Sequence, residues 1–527
     1  MDNRQYREAM ELFDGYIYEK EVPELETYPM FHNIYQYLML PSKDNLCFSS
    51  AFIVILAQLS RPLNFFKFYI DLYQESNQPK VPMNIYGINI LKSGGGKGLT
   101  NNIVKNLINL DYFKRRYVTD VCRNLSYNLE ENEKKDFEKN VNKILTIVEA
   151  EEQASASTAG MRLVENELKS LFYSIGLEES KWVGSAFYNL QELADSLENA
   201  SNYDKDFFST LKEMYDLGEF SAKALKTGIM GSIRNFYISF LGATTDKTLQ
   251  SNPRTARLLN NFFISGHARR SLISMPSARE MSIVEGKKKS TDGLSLRELI
   301  NAKKYVETPD VVTVKRRINE IIDKITYNAS RGNVAIRLTD EGYFYYSAYK
   351  LLCAERAKNI NSNILELETE NRFWKALKIS GILACYAGST EINEKHFCEA
   401  VKIVEYYAHH FKRCLNNRVT DVNDKIIELL MDKQNFGITH EELRTNSEVL
   451  SYREQKISAG DFVKKAMKEV DEILDITGYK LVTEKTGFNN KTTVYAAVPN
   501  TWINPCIEPK EPYRVFDNVP KSYKKDI

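Results

Sequence analysis

The chain has 527 residues, 43% of them hydrophobic and 27% charged, which is more than one hydrophobic core usually serves and argues against extended disorder. Lys plus Arg number 71 against 70 Asp plus Glu, so the net charge of +1 excludes recognition of nucleic acid by a field over the whole molecule and leaves only local patches. Seven scattered cysteines with no C-x-x-C pair, and six histidines with no ligand spacing, exclude a disulfide framework and a zinc site from the reading.

In chain order, residues 1–78 read as a helical N-terminal region. It opens on Met1-Asp2-Asn3-Arg4, too polar for a secretory signal. Its most apolar stretch, Leu46 to Leu59, is about fourteen residues long, too short to span a bilayer and expected to be a buried helix. These features place the protein in the cytoplasm, that of a bacterial host if the chain is phage-encoded, with no membrane partner. Residues 79–286 read as an α/β core. Val81 to Leu91 has strand length and runs directly into Ser93-Gly94-Gly95-Gly96-Lys97-Gly98-Leu99-Thr100; a helix follows on the spacing of Leu99, Ile103, Val104, Leu107 and Ile108. The charged stretch Tyr127 to Asn140 reads as a solvent-facing helix or excursion between strands. Two more apolar runs, Trp182 to Leu190 and Asn235 to Thr244, have the doubly buried look of parallel strands. Glu285 to Gly293 has the composition of a linker. From there residues 294–415 read as an almost wholly helical lid subdomain, residues 420–500 as three helices and a β-hairpin in the order of a winged helix-turn-helix, and residues 501–527 as an extended tail.

A strand, a glycine loop and a helix are the parts of a phosphate-binding loop, because successive backbone N–H groups and a helix N-terminus converge on the anion while a lysine neutralises it. Gly94, Gly95, Gly96 and Lys97 supply these parts, within a nucleotide-gripping segment Ser93 to Thr100. The usual G-x-x-x-x-G-K-[ST] pattern would place glycine at 91 and a hydroxyl at 98, where this chain has Leu91 and Gly98, so Thr100 becomes the candidate hydroxyl for Mg²⁺. The alternative is a glycine-rich turn with a surface lysine. Glu192 follows the second strand where a water-orienting, metal-adjacent glutamate is expected, with Gln191 in place of the metal-holding aspartate; an ordinary helix-starting glutamate is the other reading. Thr244, with Asp246 in reserve, ends the third strand as a γ-phosphate sensor. Arg269 and Arg270 are a basic pair, either surface charge or an arginine finger reaching a neighbouring subunit. Lys464, Lys465 and Lys468 on the last helix, with Lys485 and Lys491 near the hairpin, are candidates for DNA contact.

The order of these segments resembles the phage and prophage family of primase-helicase-type P-loop ATPases, related in fold to ring-forming AAA+ and RecA-like motors. The resemblance covers residues 80 to 410. It rests on Ser93 to Thr100, Ala154 to Met161, Glu192-Leu193-Ala194-Asp195, Asn235 to Thr244, Arg269-Arg270, Asn371 to Leu377 and Ala400 to Glu405. It implies an ATP- and Mg²⁺-dependent helicase or helicase-like motor acting in DNA replication, forming a ring, hexameric by preference, on single-stranded DNA beside other replication proteins. A nucleotide-binding but weakly hydrolysing loader, origin-binding or regulatory protein is the alternative, motivated by Leu91, Gly98 and Gln191.

Overall fold

The computed structural model describes residues 3–18, 48–72, 80–91, 97–127, 129–153, 158–198, 202–220, 223–225, 228–230, 233–245, 253–276, 309–360, 362–416, 422–431, 437–450, 457–476, 479–486 and 492–499. The expected linker at 285–293 and the tail at 501–527 lie outside them. The chain divides into two compact units, Met1–Asn417 and Arg418–Ile527. It is a mixed α/β protein with parallel sheets and many helices.

The first unit begins with helices α1 (Asn3–Tyr18) and α2 (Phe48–Phe65), strands β1 (Tyr69–Asp71), β2 (Val81–Pro82) and β3 (Tyr86–Leu91), and helices α3 (Lys97–Leu107), α4 (Leu110–Ser126) and α5 (Glu131–Glu149). The solvent-facing helix expected from charge is α5, in which only Ile144 and Val148 are buried. Next come β4 (Glu152–Gln153), α6 (Thr158–Ser174), β5 (Ser185–Leu190), α7 (Leu193–Glu198), α8 (Asn202–Leu217), the hairpin β6 (Lys223–Leu225) and β7 (Gly228–Met230), and β8 (Tyr237–Thr245). After α9 (Pro253–Phe262) a π-turn, Phe263–His267, leads to β9 (Ser271–Ser274).

Five of these strands form one sheet in the order β4-β5-β8-β3-β9, every neighbouring pair parallel. Its strands alternate between two cores. Tyr86, Ile88 and Ile90 of β3, Ala186, Tyr188 and Leu190 of β5, and Ile238 and Phe240 of β8 pack with residues of α8 and α9, such as Leu211, Met214 and Leu259. Phe187 and Leu241 face the opposite core with α2. Helices on both faces are what an all-parallel sheet needs, because neither face can be left in water.

Helix α2 is buried along its whole length, its serines, Gln58, Arg61 and Asn64 included. Most of those polar groups are paired internally, whereas Ser49 Oγ, Arg61 Nε and Asn64 Oδ1 have no hydrogen-bond partner among the described residues. Ser50 Oγ lies 3.2 Å from Ser274 Oγ on β9, Ser60 Oγ lies 2.9 Å from Ser239 Oγ on β8, and Asn64 Nδ2 donates to that same Ser239 hydroxyl at 2.8 Å. The stretch expected to be a buried helix is therefore the central helix of the α/β unit, in contact with its sheet.

The remainder of the unit comprises α10 (Pro309–Ser330), β10 (Ala335–Leu338), α11 (Asp340–Ala357), α12 (Asn363–Glu370), α13 (Arg372–Tyr386), β11 (Glu391–Ile392) and α14 (Glu394–Asn416). The almost wholly helical reading of 294–415 needs correction here, since β10 and β11 join β1 and β2 in a second sheet ordered β11-β10-β1-β2. Tyr69, Ile70 and Asp71 run parallel to Ala335, Ile336 and Arg337, so segments read as an N-terminal region and a lid share one sheet. Strands of two to four residues carry too few positions for a period-2 signal to register. Helix α13 is enclosed over most of its length, with Lys375 through Tyr386 all buried. Lys378 Nζ inside it donates to Pro82 O at 2.8 Å, Asn84 Oδ1 at 2.6 Å and Tyr215 O at 2.7 Å.

The second unit has α15 (Val422–Met431), β12 (Ile438–Thr439), α16 (His440–Thr445), α17 (Ser447–Leu450), α18 (Ala459–Ile476), β13 (Tyr479–Thr486) and β14 (Thr492–Pro499). Helix α16 begins at His440, because Ile438 and Thr439 before it pair with Tyr495 and Val494. Thr439 then caps it: its hydroxyl accepts from Glu442 N at 3.1 Å while the Glu442 carboxylate accepts from Thr439 N at 2.6 Å. Strands β13 and β14 are antiparallel from Tyr479↔Pro499 to Thr486↔Thr492, and Ile426, Leu443, Val463, Val470 and Leu474 form this unit's own core.

Gly87 is where α2 meets the sheet most closely, since a Cβ there would lie 2.4 Å from Ile53 Cγ2 and 3.2 Å from Leu241 Cδ1. The β-branched Ile53 cannot swing that atom away cheaply, so Gly87→Val is expected to destabilise the first unit by about 1–3 kcal/mol, read as a lower urea midpoint at unchanged m-value.

Candidate functional site

The carboxyl ends of parallel strands are where α/β sheets bind ligands. In this sheet β3 is an interior strand, with β8 on one side and β9 on the other. It ends at the buried Leu91, and α3 starts at Lys97. Ser93, Gly94, Gly95 and Gly96 join the two and lie outside the described residues, as do the side chains of Lys97, Gly98, Leu99 and Thr100. The backbone of these last four forms the first turn of α3, whose N–H groups have no intrahelical acceptor.

Thr244 stands beside this junction, because β8 runs parallel to β3 with Ile90↔Thr244 and Leu91↔Thr245 in register. It is 1% exposed, and among the described residues its Oγ1 has no hydrogen-bond partner. Leaving a buried hydroxyl unpaired costs on the order of 1–3 kcal/mol. On the other side of β8, Leu190 of β5 pairs with Gly242, and Gln191 and Glu192 form the turn that follows. Glu192 is exposed at that turn. The structure thus brings Leu91, the start of α3 at Lys97, Thr244 and Glu192 to one edge of one sheet. The reserve residue Asp246 lies outside the described residues.

A polar network that the motif search missed underlies the same edge. Gln58 Nε2 donates to Asn101 Oδ1 at 2.5 Å, and Asn101 Nδ2 to Glu152 Oε1 at 3.3 Å. Glu152 also accepts from Lys105 Nζ at 2.8 Å and from Asn189 Nδ2 at 3.2 Å, and Gln191 Nε2 donates to Asn189 Oδ1 at 2.6 Å. Burial raises the Glu152 carboxyl, but Lys105, Arg61 and the amide of Asn189 outweigh it and hold the group below its ordinary range. Positions 97, 101 and 105 recur at i, i+4 and i+8 on α3, so one helix face connects the glycine segment to the end of β5. That spacing was the signal available in the sequence. Gln191, which stands where a metal-holding carboxylate was sought, serves here as an amide donor.

Behind this network Glu151, 4% exposed, pairs with Arg61 Nη2 at 3.2 Å and with Lys114, and accepts from Ser185 Oγ at 2.9 Å. Burial raises this carboxyl too, yet Arg61 and Lys114 prevail and bring it down to about 2.

Arg269 and Arg270 are on the opposite edge. Strand β9 begins with Ser271 beside Tyr86, the first residue of β3, so the pair sits at the amino end of the sheet. Arg270 is buried and bound within the chain, Nη2 to Asp216 Oδ2 at 2.6 Å and Nη1 to Gly266 O at 3.1 Å. Arg269 is only partly buried; burial and its neighbour Arg270 both lower its pKa. The fold therefore separates the pair into an internally bound arginine and one that is partly open to solvent.

Among the described residues, no group of three His, Cys, Asp or Glu side chains is gathered to hold a metal ion. No family model matches the chain, and no curated protein matches it. Cys122, Cys353, Cys385, Cys398 and Cys414 are free thiols, and no described helix is long and apolar enough to cross a membrane. On the second unit, Lys464, Lys465 and Lys468 of α18 and Lys485 of β13 are exposed, while Lys491 lies outside the described residues.

The lowered Glu151 pKa makes a pH dependence. Its stabilising contribution is complete above the ordinary value of 4.5 and is lost as the pH falls toward 2. Glu151→Gln leaves Arg61 and Lys114 without their shared carboxylate and is expected to cost about 3–5 kcal/mol at neutral pH. Urea titrations from pH 7 down to 2.5 should show a flatter pH dependence for the variant than for the parent.

Proposed function

We propose that the first unit is a P-loop ATPase and that the chain works as a helicase or helicase-like motor on single-stranded DNA during replication, as a ring-forming and preferentially hexameric assembly. What supports this reading is that Ser93 to Gly96 in the sequence connect the carboxyl end of β3, a strand with parallel neighbours on both sides, to the N-terminus of α3. Backbone N–H groups of a glycine loop and a helix N-terminus are suited to a triphosphate, and Lys97 at the first helical position would neutralise it. The orphaned Thr244 hydroxyl supports a phosphate in the same place, as a donor that folding alone leaves idle. In this scheme Ser93 to Thr100 would hold ATP, Thr100 and Glu192 would be the residues to hold Mg²⁺, and Glu192 would orient the attacking water. Bound Mg²⁺ would offset charge on the transferring phosphoryl group. Arg269, on the far edge of its own subunit and partly open, is better suited than Arg270 to act on a neighbour's phosphate in a ring.

One observation favours a second reading, a nucleotide-binding loader, origin-binding or regulatory protein with weak or no hydrolysis. Gln191 brings no negative charge to the edge, and its amide is engaged with Asn189. The two readings separate on one experiment. Lys97→Ala should lower DNA-stimulated ATP turnover by about 10²-fold or more if the motor reading holds, the scale lost with one essential electrostatic contact. Retention of turnover in the variant defeats the assignment of Lys97. Tight ATP binding by the parent with no turnover, with or without DNA, selects the regulatory reading.

For the second unit we propose a winged-helix-like DNA contact, supported by its helices followed by an antiparallel hairpin and by the exposed lysines on α18. Lys464→Ala with Lys468→Ala removes two cations four residues apart on one face. The double variant should weaken DNA binding and reduce the slope of log K against log salt by about 2 if both touch phosphate. An unchanged slope removes α18 from the DNA contact.

A further inference from the structure

The amino edge of the main sheet carries a second cavity, of about 120 Å³, between α6, the turn before β5, the turn before β8 and β1. Its construction is unusual in three respects. Lys67 and Asn235, the two non-glycine residues with left-handed backbones among the described residues (φ 62° and 54°), both line it. Such conformations cost about 1–3 kcal/mol each and persist where surrounding structure imposes them, commonly at sites of function. Lys67 Nζ ties them together, donating to Asn235 O at 2.5 Å and to Gly184 O, beneath the Phe236 ring at 5.1 Å.

The second respect is Glu165, which is 2% exposed and lines the cavity from α6. Its Oε1 is ion-paired with Lys169, but Oε2 accepts no hydrogen bond. A buried carboxylate oxygen without a donor is more costly than the orphaned hydroxyl of Thr244. The third is the presence of aromatic rings beside a charged mouth. Trp182 is fixed in orientation by its indole N–H, which donates to Leu177 O at 2.8 Å, while the exposed Lys80, Arg234 and Glu179 mark the opening, two cations against one carboxylate.

A ligand for this cavity must combine a planar ring, one N–H donor for Glu165 and an anion outside. The volume, about 120 Å³, is somewhat below the about 150 Å³ of a closed cavity that takes up benzene, so a single ring would fill it with its substituents at the open mouth. We propose that the cavity binds a single unstacked nucleotide unit, with its base between Trp182 and Phe236, its exocyclic amine on Glu165 Oε2 and its phosphate at Arg234 and Lys80. Base stacking on aromatic rings and acceptance of a base amine by a glutamate are both established modes of nucleotide recognition. The unit can come from a free mononucleotide or from a DNA strand, and the site is separate from the glycine segment at the carboxyl edge.

The test uses the full-length chain carrying Lys97→Ala, so that binding at the glycine segment does not contribute and failure of one site is not mistaken for failure of the other. Tryptophan fluorescence is titrated with dCMP, dAMP, dTMP, deoxycytidine and a short single-stranded oligodeoxycytidylate. Expected are saturable quenching by dCMP and dAMP, weaker binding of dTMP, which has no exocyclic amine, and loss of the quench in Trp182→Phe. Glu165→Gln should weaken dCMP about tenfold, the scale of one charge-assisted hydrogen bond. Arg234→Ala, at an exposed position that folding tolerates, should erase the advantage of dCMP over deoxycytidine. Tighter binding of the oligonucleotide than of dCMP identifies a strand as the source, and equal binding identifies the free nucleotide. No saturable quench by any probe, or a quench that survives both Trp182→Phe and Glu165→Gln, overturns the proposal.

Discussion

The complete burial of α2 is the constraint from which much of the first unit follows. A helix enclosed on every side cannot leave Ser50, Gln58, Ser60, Arg61 or Asn64 to water, so each neighbouring element must present a polar partner at one position. The sheet answers with Ser239 and Ser274, α3 with Asn101, and the Glu151-Glu152 pair with two carboxylates. From the outer side Tyr386 and Tyr407 donate to the Leu59 and Ser49 carbonyls of α2 at 3.0 and 2.6 Å. These contacts bind sequence-distant segments into one unit and fix where the sheet lies against the outer helices.

The same burial of charge organises the outer helices. Glu405 of α14 accepts from Tyr349 at 2.6 Å, Arg356 at 3.1 Å and Arg372 at 3.0 Å, and Glu368 accepts from Lys375 at 2.6 Å. Burial raises the Glu368 carboxyl, but Arg372 and Lys375 hold it at about 2. Removing either partner from such a pair leaves an uncompensated charge, whereas an apolar replacement of the whole set would not; the arrangement specifies geometry more than it adds stability. What it specifies is the amino edge of the main sheet, where Lys375 reaches Ser271 O at 3.3 Å and Lys378 holds the residues leading into β3.

The two edges of that sheet differ in character. The carboxyl edge gathers Lys97 at the start of α3, Thr244 and Glu192 over a network running from Gln58 to Gln191. The amino edge holds the left-handed backbones of Lys67 and Asn235, the enclosed Glu165 and the Arg270–Asp216 pair. Both edges contain buried polar atoms without hydrogen-bond partners among the described residues.

Long apolar or periodic segments were legible in the linear chain: the buried helix at 48–65, the strands at 86–91, 185–190 and 237–245, and the helices and hairpin of the second unit. Each signals its state through burial of its own side chains, which is local information. The glycine segment and the positions of Glu192 and Thr244 near strand ends were legible for the same reason. The four-stranded second sheet was not, because two to four residues per strand hold no period, and its pairing of Tyr69 with Ala335 is a contact between distant segments. Nor could adjacency in sequence distinguish Arg269 from Arg270; only Asp216 and the carbonyl of Gly266, brought there by folding, make one of them internal. Composition and spacing thus specified which elements exist, while strand order, the partner of each buried charge and the edge on which each candidate residue lies were decided by packing, since those depend on neighbours tens to hundreds of residues away.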